Sequence, residues 1–165
     1  NIIMLSPKLL TAFNDQIKHE LESAYLYAAM NAWFKSENFD GMAHWMEVQT
    51  KEEINHARKF YDHIFERGDV VELQPINILA KKWASPLDAF KAAYEHEQFV
   101  TGKINDLMTM AIADKDYAAQ EFLNWFVAEQ VEEEDSTLKI VQLLKRIGDH
   151  GQALIMVDRE LGKRE

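Results

Sequence analysis

The sequence predicts an all-α fold: a four-helix bundle with one long crossover connection and a short fifth helix at the C-terminal end. Three observations carry this. Apolar residues recur at spacings of three and four through four segments of nearly 30 residues each. Ordinary globular helices average about 11–12 residues, so four this long leave room for little but a bundle. Only three prolines and six glycines occur in 165 residues, and most of them sit where one segment ends or the next begins.

In chain order, the first helix is expected at about 6–36. Ser6-Pro7 reads as an N-cap followed by proline at the first helical position. The second is expected at about 40–67, with Asp40 as candidate N-cap and Gly68 as stop. The third, at about 86–113, opens on Ser85-Pro86. The fourth, at about 116–147, opens on Asp116 and stops at Gly148. A short fifth follows at about 151–161. Gly102 falls inside the third helix, where close helix packing is its simplest explanation. Val70-Val71-Glu72-Leu73 is the one stretch with any strand character. Residues 1–165 read as one domain, with 1–5 an N-terminal extension too short and uncharged for a signal peptide.

The connections set the topology. A few residues around Phe39 join the first two helices, and Asp114 to Asp116 join the last two, so each pair is antiparallel. The stretch at about 69–85 can span over 50 Å when extended, at roughly 3.3 Å per residue, enough to run the full height of the bundle. The second and third helices are then parallel, which is the arrangement of ferritin-like folds.

Composition narrows the function. There are no cysteines, which excludes disulfides, thiolate metal sites and cysteine nucleophiles, and is consistent with a cytoplasmic location. A formal net charge of -10 disfavours nucleic acid and favours cations. No apolar run reaches the roughly 18 residues of a membrane span.

Each apolar stripe is interrupted by a carboxylate at its middle. Glu20 lies between Ile17 and Ala24, and Glu53 between Met46 and Phe60 with His56 beside it. Glu97 lies between Tyr94 and Val100, and Glu133 between Phe126 and Ile140 with Gln130 beside it. The helix midpoints fall near 20, 53, 99 and 131, so the four glutamates meet at one level whichever way each helix runs. One buried carboxylate costs several kcal/mol in desolvation, and four together also repel. Protons or cations must sit among them. Two divalent ions neutralise four carboxylates, and shared carboxylates suit a metal pair about 3.5–4 Å apart. Oxygen donors with a single imidazole favour iron or manganese over structural zinc.

The motifs now on the page are Lys18-His19-Glu20-Leu21, Lys51-Glu52-Glu53-Ile54-Asn55-His56-Ala57, Tyr94-Glu95-His96-Glu97-Gln98 and the run from Phe122 to Glu134. Through them the chain resembles the prokaryotic non-haem ferritins over roughly residues 5–165. The resemblance implies a ferroxidase centre that oxidises iron(II) with dioxygen, and storage of iron(III) as a hydrated oxide inside a shell of 24 subunits. It implies a first iron on Glu20, Glu53 and His56, with Glu53 bridging, and a second on Glu97 and Glu133, with Gln130 close by. A third iron would use Glu52, Glu129 and Glu132, shared through Glu133. Tyr27 matches a tyrosine beside the centre, and Trp125 a nearby tryptophan whose role is either packing or electron transfer. Bacterioferritins carry Glu-x-x-His on two helices and a haem-ligating methionine after the bridging glutamate. Here the fourth helix has Gln130-x-x-Glu133, and Ile54 stands at the methionine position, so no haem is expected. The rivals are a di-iron carboxylate oxidase that stores nothing, and a helical interaction module whose central carboxylates are protonated or water-filled.

Overall fold

Five helices account for the regular structure among the residues that the computed structural model describes, 4–77 and 81–165. They are α1 (Pro7–Ser36), α2 (Asp40–Glu66), α3 (Pro86–Ala113), α4 (Tyr117–Ile147) and α5 (Gly151–Leu161). Asn1 to Ile3 of the expected N-terminal extension, and three residues of the crossover, lie outside the described residues. No strand forms among the described residues, and Val70 to Leu73 is irregular chain in the crossover. No helix there is long and apolar enough to cross a membrane.

Serine and aspartate caps start three of the helices. Ser6 Oγ accepts from Leu9 N at 3.2 Å, Ser85 Oγ from Asp88 N at 3.1 Å, and Asp116 Oδ1 from Ala119 N at 3.0 Å. The start of α2 differs from the expectation. Asp40 is its first helical residue, Phe39 is the N-cap, and no side chain from the α1–α2 turn caps it. The cap comes from 116 residues away: Met42 N donates to Asp158 Oδ1 of α5 at 2.8 Å. The short turns at Asn38 and Lys115 use the left-handed region, with φ of 62° and 53°. Gly148 closes α4 at a φ of 56°.

α1 packs chiefly on α2, and α3 on α4. The interior is two apolar clusters rather than one. The first includes Tyr27, Met30, Phe34, Met42, Met46 and Phe90. The second includes Leu9, Phe13, Phe60, Ile64, Ile104 and Phe126. Between them lies a polar layer at mid-bundle. α5 crosses the α2 end of the first cluster, to which Val157 belongs. Gly41 makes this crossing possible, because a methyl group there would overlap the carbonyl oxygen of Asp158. Trp33 and Trp45 join the same cluster: Trp45 is buried against Phe90, and Trp33 packs on Phe34 and Trp83.

Gly102 corrects the close-packing expectation, since a methyl group at that position meets nothing within 4 Å. Gly102→Ala is therefore expected to raise stability by about 0.5–1 kcal/mol through helix propensity alone. Asp158→Ala is expected to lower it by about 1 kcal/mol through loss of the α2 cap. Urea unfolding of the two variants beside the parent checks both signs.

Candidate metal centre

The polar layer is built by one face of each long helix. Glu20, Glu53, Glu97 and Glu133 are each at most 5% exposed, and His56 is 3%. Within two turns on either side of each of them, apolar residues enter the two clusters, Ile17 and Tyr27 on α1, Met46 and Phe60 on α2, Ala93 and Val100 on α3, and Phe126 and Ile140 on α4, which forces the carboxylates inward at a common height.

Ligand-type atoms of Glu20, Glu53 and His56 lie within 4.8 Å of one another, as do those of Glu53, Glu97 and Glu133. Glu53 belongs to both groups, so two ions placed in them would share its carboxylate. His56 turns Nδ1 toward Glu53 Oε2 at 3.3 Å and Glu20 Oε2 at 3.7 Å. Neither His56 Nδ1 nor Glu20 Oε2 has a hydrogen-bond partner. A buried donor set with two orphaned atoms facing each other is what a bound cation would satisfy. The spacing of the groups and their oxygen-rich chemistry fit a pair of iron ions.

Amides and a phenol hold the carboxylates. Tyr27 Oη donates to Glu97 Oε1 at 2.5 Å. Gln130 Nε2 lies 3.2 Å from Glu97 Oε2 and 3.1 Å from Thr101 Oγ1. Gln49 Nε2 donates to Glu53 Oε1 at 3.0 Å and to Glu133 Oε2 at 2.7 Å, linking α2 to α4. Gln16 Nε2 donates to Glu20 Oε1 at 3.1 Å.

A family model for the ferritin-like domain matches residues 10–147. The chain belongs to the ferritin family. It is 42% identical to a bacterial non-heme ferritin of Bacteroides fragilis, over 98% of this chain and 100% of that one. A bacterial non-heme ferritin of Staphylococcus aureus is also 42% identical, over 98% and 97% of the two chains. Among solved structures, an open pore ferritin from Archaeoglobus fulgidus is 46% identical and superposes with a TM-score of 0.96, covering 98% of this chain and 99% of that one.

In this ferritin chain the third-site residues are gathered less tightly. Glu129 Oε1 lies 3.9 Å from His56 Nε2, and His56, Glu129 and Glu133 form a third close group. Glu52 is partly exposed and Glu132 exposed, and neither joins any of the three groups. Glu52 does line a cavity of about 240 Å³ with Asn55, His56, Lys59, Trp125 and Glu129. Trp125 is 41% exposed rather than packed in the core. Its ring lies edge-on to His56 with centroids 5.4 Å apart, beneath the Lys59 ammonium at 3.6 Å.

Gln16 and Gln49 are the members that the sequence reading missed as site residues. The signal was present, because each lies four residues before a stripe carboxylate, within hydrogen-bonding reach on the same helix face. Gln49→Leu keeps the volume and removes the link between Glu53 and Glu133. A supporting residue of this kind is worth 10- to 100-fold in metal affinity in general. A weakening of about tenfold is expected for Gln49→Leu, measured by anaerobic calorimetry with iron(II).

Without metal, the layer must share protons. Burial and the charges of Glu97 and Glu20 hold Glu53 well above the ordinary carboxyl range. Burial pushes Glu97 up to about 7 against hydrogen bonds from Tyr27 and Gln130. Burial and the charge of Glu97 push Glu133 up to about 9. Glu20 runs the other way: burial opposes its ionisation, but the nearby His56 imidazole, the Glu53 carboxyl and the Gln16 amide outweigh it and lower its value. His56 is raised, its burial being outweighed by Glu20.

The folded protein thus binds protons on Glu97 and Glu133 more tightly than the unfolded chain does. Their contribution to stability is complete at acid pH and is lost as pH rises through about 7 and then about 9. The metal-free protein is expected to lose thermal stability from about pH 6 to about pH 9, and saturating manganese(II) to remove most of that loss by replacing the protons. Thermal unfolding across this range checks it; a metal-free profile that rises with pH would contradict shared protons.

Proposed function

We propose that this ferritin is an iron-storage protein with ferroxidase activity. The observation that carries the reading is the pair of buried donor groups, Glu20–Glu53–His56 and Glu53–Glu97–Glu133, which share Glu53. On this reading iron(II) binds pairwise at mid-bundle. Glu20, Glu53 and His56 take one ion, and Glu53, Glu97 and Glu133 the other. Gln130 and Tyr27 hold Glu97. Each ion gives one electron to dioxygen, and iron(III) moves on to be stored as a hydrated oxide. Four carboxylates balance two divalent ions, so the substrate pair replaces the shared protons with little net charge left in the dry interior. A histidine reaches only one of the two ions, because α4 offers Gln130 where α2 offers Glu53, and Glu133 where it offers His56. The second ion is held by carboxylates alone, which suits a centre that passes iron onward.

A third ion is assigned to Glu129, Glu132 and Glu52 beside Glu133. The support is the His56–Glu129–Glu133 group and the cavity that Glu52 and Glu129 line with it.

Storage needs a container, and we assign the chain to a hollow shell of 24 subunits in the cytoplasm. The Archaeoglobus fulgidus relative is described as an open pore ferritin, and a pore requires an assembled wall. The described surface offers material for subunit contacts: Tyr25, Ile54 and Leu73 are each at least half exposed. Ile54 and Leu73 border an apolar groove of about 360 Å³ with Ile17, Leu21 and Tyr61. On α5, Ile155 and Met156 are exposed as well.

The test is aerobic titration of the metal-free protein with iron(II), following absorbance and bound iron per subunit. Oxidation is expected to continue to many tens of irons per chain. Saturation at two or three would instead mean a di-iron oxidase without storage or a shell that has not assembled. Glu53→Ala removes the shared carboxylate and is expected to slow the initial oxidation by about 100-fold, the upper end of what a merely supporting residue costs.

A further inference from the structure

The four residues that follow α5 run back along α2, and the tail ends beside the third iron site. Arg164 makes four contacts with α2. Its carbonyl oxygen lies 2.7 Å from His44 Nε2. Its Nη1 donates to the carbonyl oxygen of Trp45 at 3.2 Å. Its guanidinium carbon stands 4.3 Å from the centroid of the Trp45 ring, which is itself buried and so a fixed platform. Its Nη2 donates to Glu52 Oε2 at 3.0 Å.

Glu52 therefore faces two ways. On one side it meets the guanidinium, and on the other it lines the cavity with His56 and Glu129. Its charge is felt inside the centre, where it helps raise Glu133. The three other contacts of Arg164, together with the Asp158 cap of α2, hold the tail without Glu52. The bond to Glu52 is thus one of several anchors of the tail rather than its sole one.

We propose that Arg164 is a positioning residue for the third iron site, its guanidinium competing with iron for the Glu52 carboxylate. This rests on the assignment of Glu52, Glu129 and Glu132 to that site. An oxygen engaged by a guanidinium fork is a poorer donor to a cation, and two positive charges on one carboxylate repel. The third site then binds iron more weakly than its donors alone would allow, and iron leaves it more readily. The coupling is reciprocal: iron on Glu52 loosens the tail by the same factor that the tail weakens iron.

The experiment is anaerobic iron(II) calorimetry on the assembled protein, comparing the parent with Arg164→Gln and Glu129→Gln. Partly exposed charge pairs are worth about a factor of two to five. Arg164→Gln is expected to raise the third-step affinity, relative to the first two steps, by about two- to fivefold. Glu129→Gln is expected to remove the third step. If Glu129→Gln leaves three steps intact, the third-site reading fails and the proposal with it. If Glu129→Gln removes the step but Arg164→Gln leaves its affinity unchanged or weakens it, the proposal alone is overturned. Should Arg164→Gln fail to assemble, Arg164→Lys serves: it keeps the charge but loses the fork that spans Trp45 and Glu52. It is expected to raise the third-step affinity by less than fivefold, and an affinity equal to or below the parent's overturns the proposal.

Discussion

Four carboxylates in a water-excluded layer are the constraint on which the rest of the structure depends. Glu20, Glu53, Glu97 and Glu133 come from four different helices and end at one height. No apolar core of this size needs such a layer, and its desolvation cost is recovered only through shared protons, hydrogen bonds or cations. The layer divides the core into two apolar clusters, each of which must seal one side against water. It also ties the helices to one register. A slip of two turns on any helix, in one direction, would pull a phenylalanine into the polar layer: Phe13, Phe60, Phe90 or Phe126.

The hydrogen bonds around the layer show how it is kept from collapsing into a disordered acidic pocket. Gln16 and Gln49 each reach forward one turn on their own helix, and Gln49 also crosses to Glu133. Tyr27 and Gln130 converge on Glu97 from α1 and α4. These groups are neutral, so they orient carboxylates without neutralising them, and the layer keeps its affinity for cations. Beyond the layer the polarity is of another kind. Lys59 over Trp125 and Arg164 on Glu52 bring positive charge to the side where Glu129 and Glu52 stand. The interior thus attracts cations, while its margin is tempered by fixed cations of its own.

Much of this was legible in the chain alone. The carboxylates break strongly periodic stripes, and a break at the midpoint of each of four long helices has few meanings. The two serine–proline starts were legible for a similar reason: a cap is a local event, decided by a few residues. Gln16 and Gln49 were missed because a glutamine at the edge of an apolar stripe is ordinary, and its partner is visible only once the carboxylates have positions. Gly102 and Gly41 make the same point from opposite sides. Both interrupt or open helices, yet only Gly41 is pressed by another backbone, and no spacing in the sequence distinguishes them.

What the sequence determined by itself was therefore the helical class, the crossover, and the height at which carboxylates gather. Those follow from periodicity and segment length, which are local and additive along the chain. The tertiary structure alone decided the relations between distant segments. It capped α2 with Asp158 rather than with Asp40, seated Trp45 in the core, and laid the tail on Glu52. The contacts of Asp158 and Arg164 with α2, each spanning more than 100 positions, depend on how α5 crosses the end of the bundle, and that angle is set by the packing of Gly41, Val157 and their neighbours rather than by any pattern within one helix.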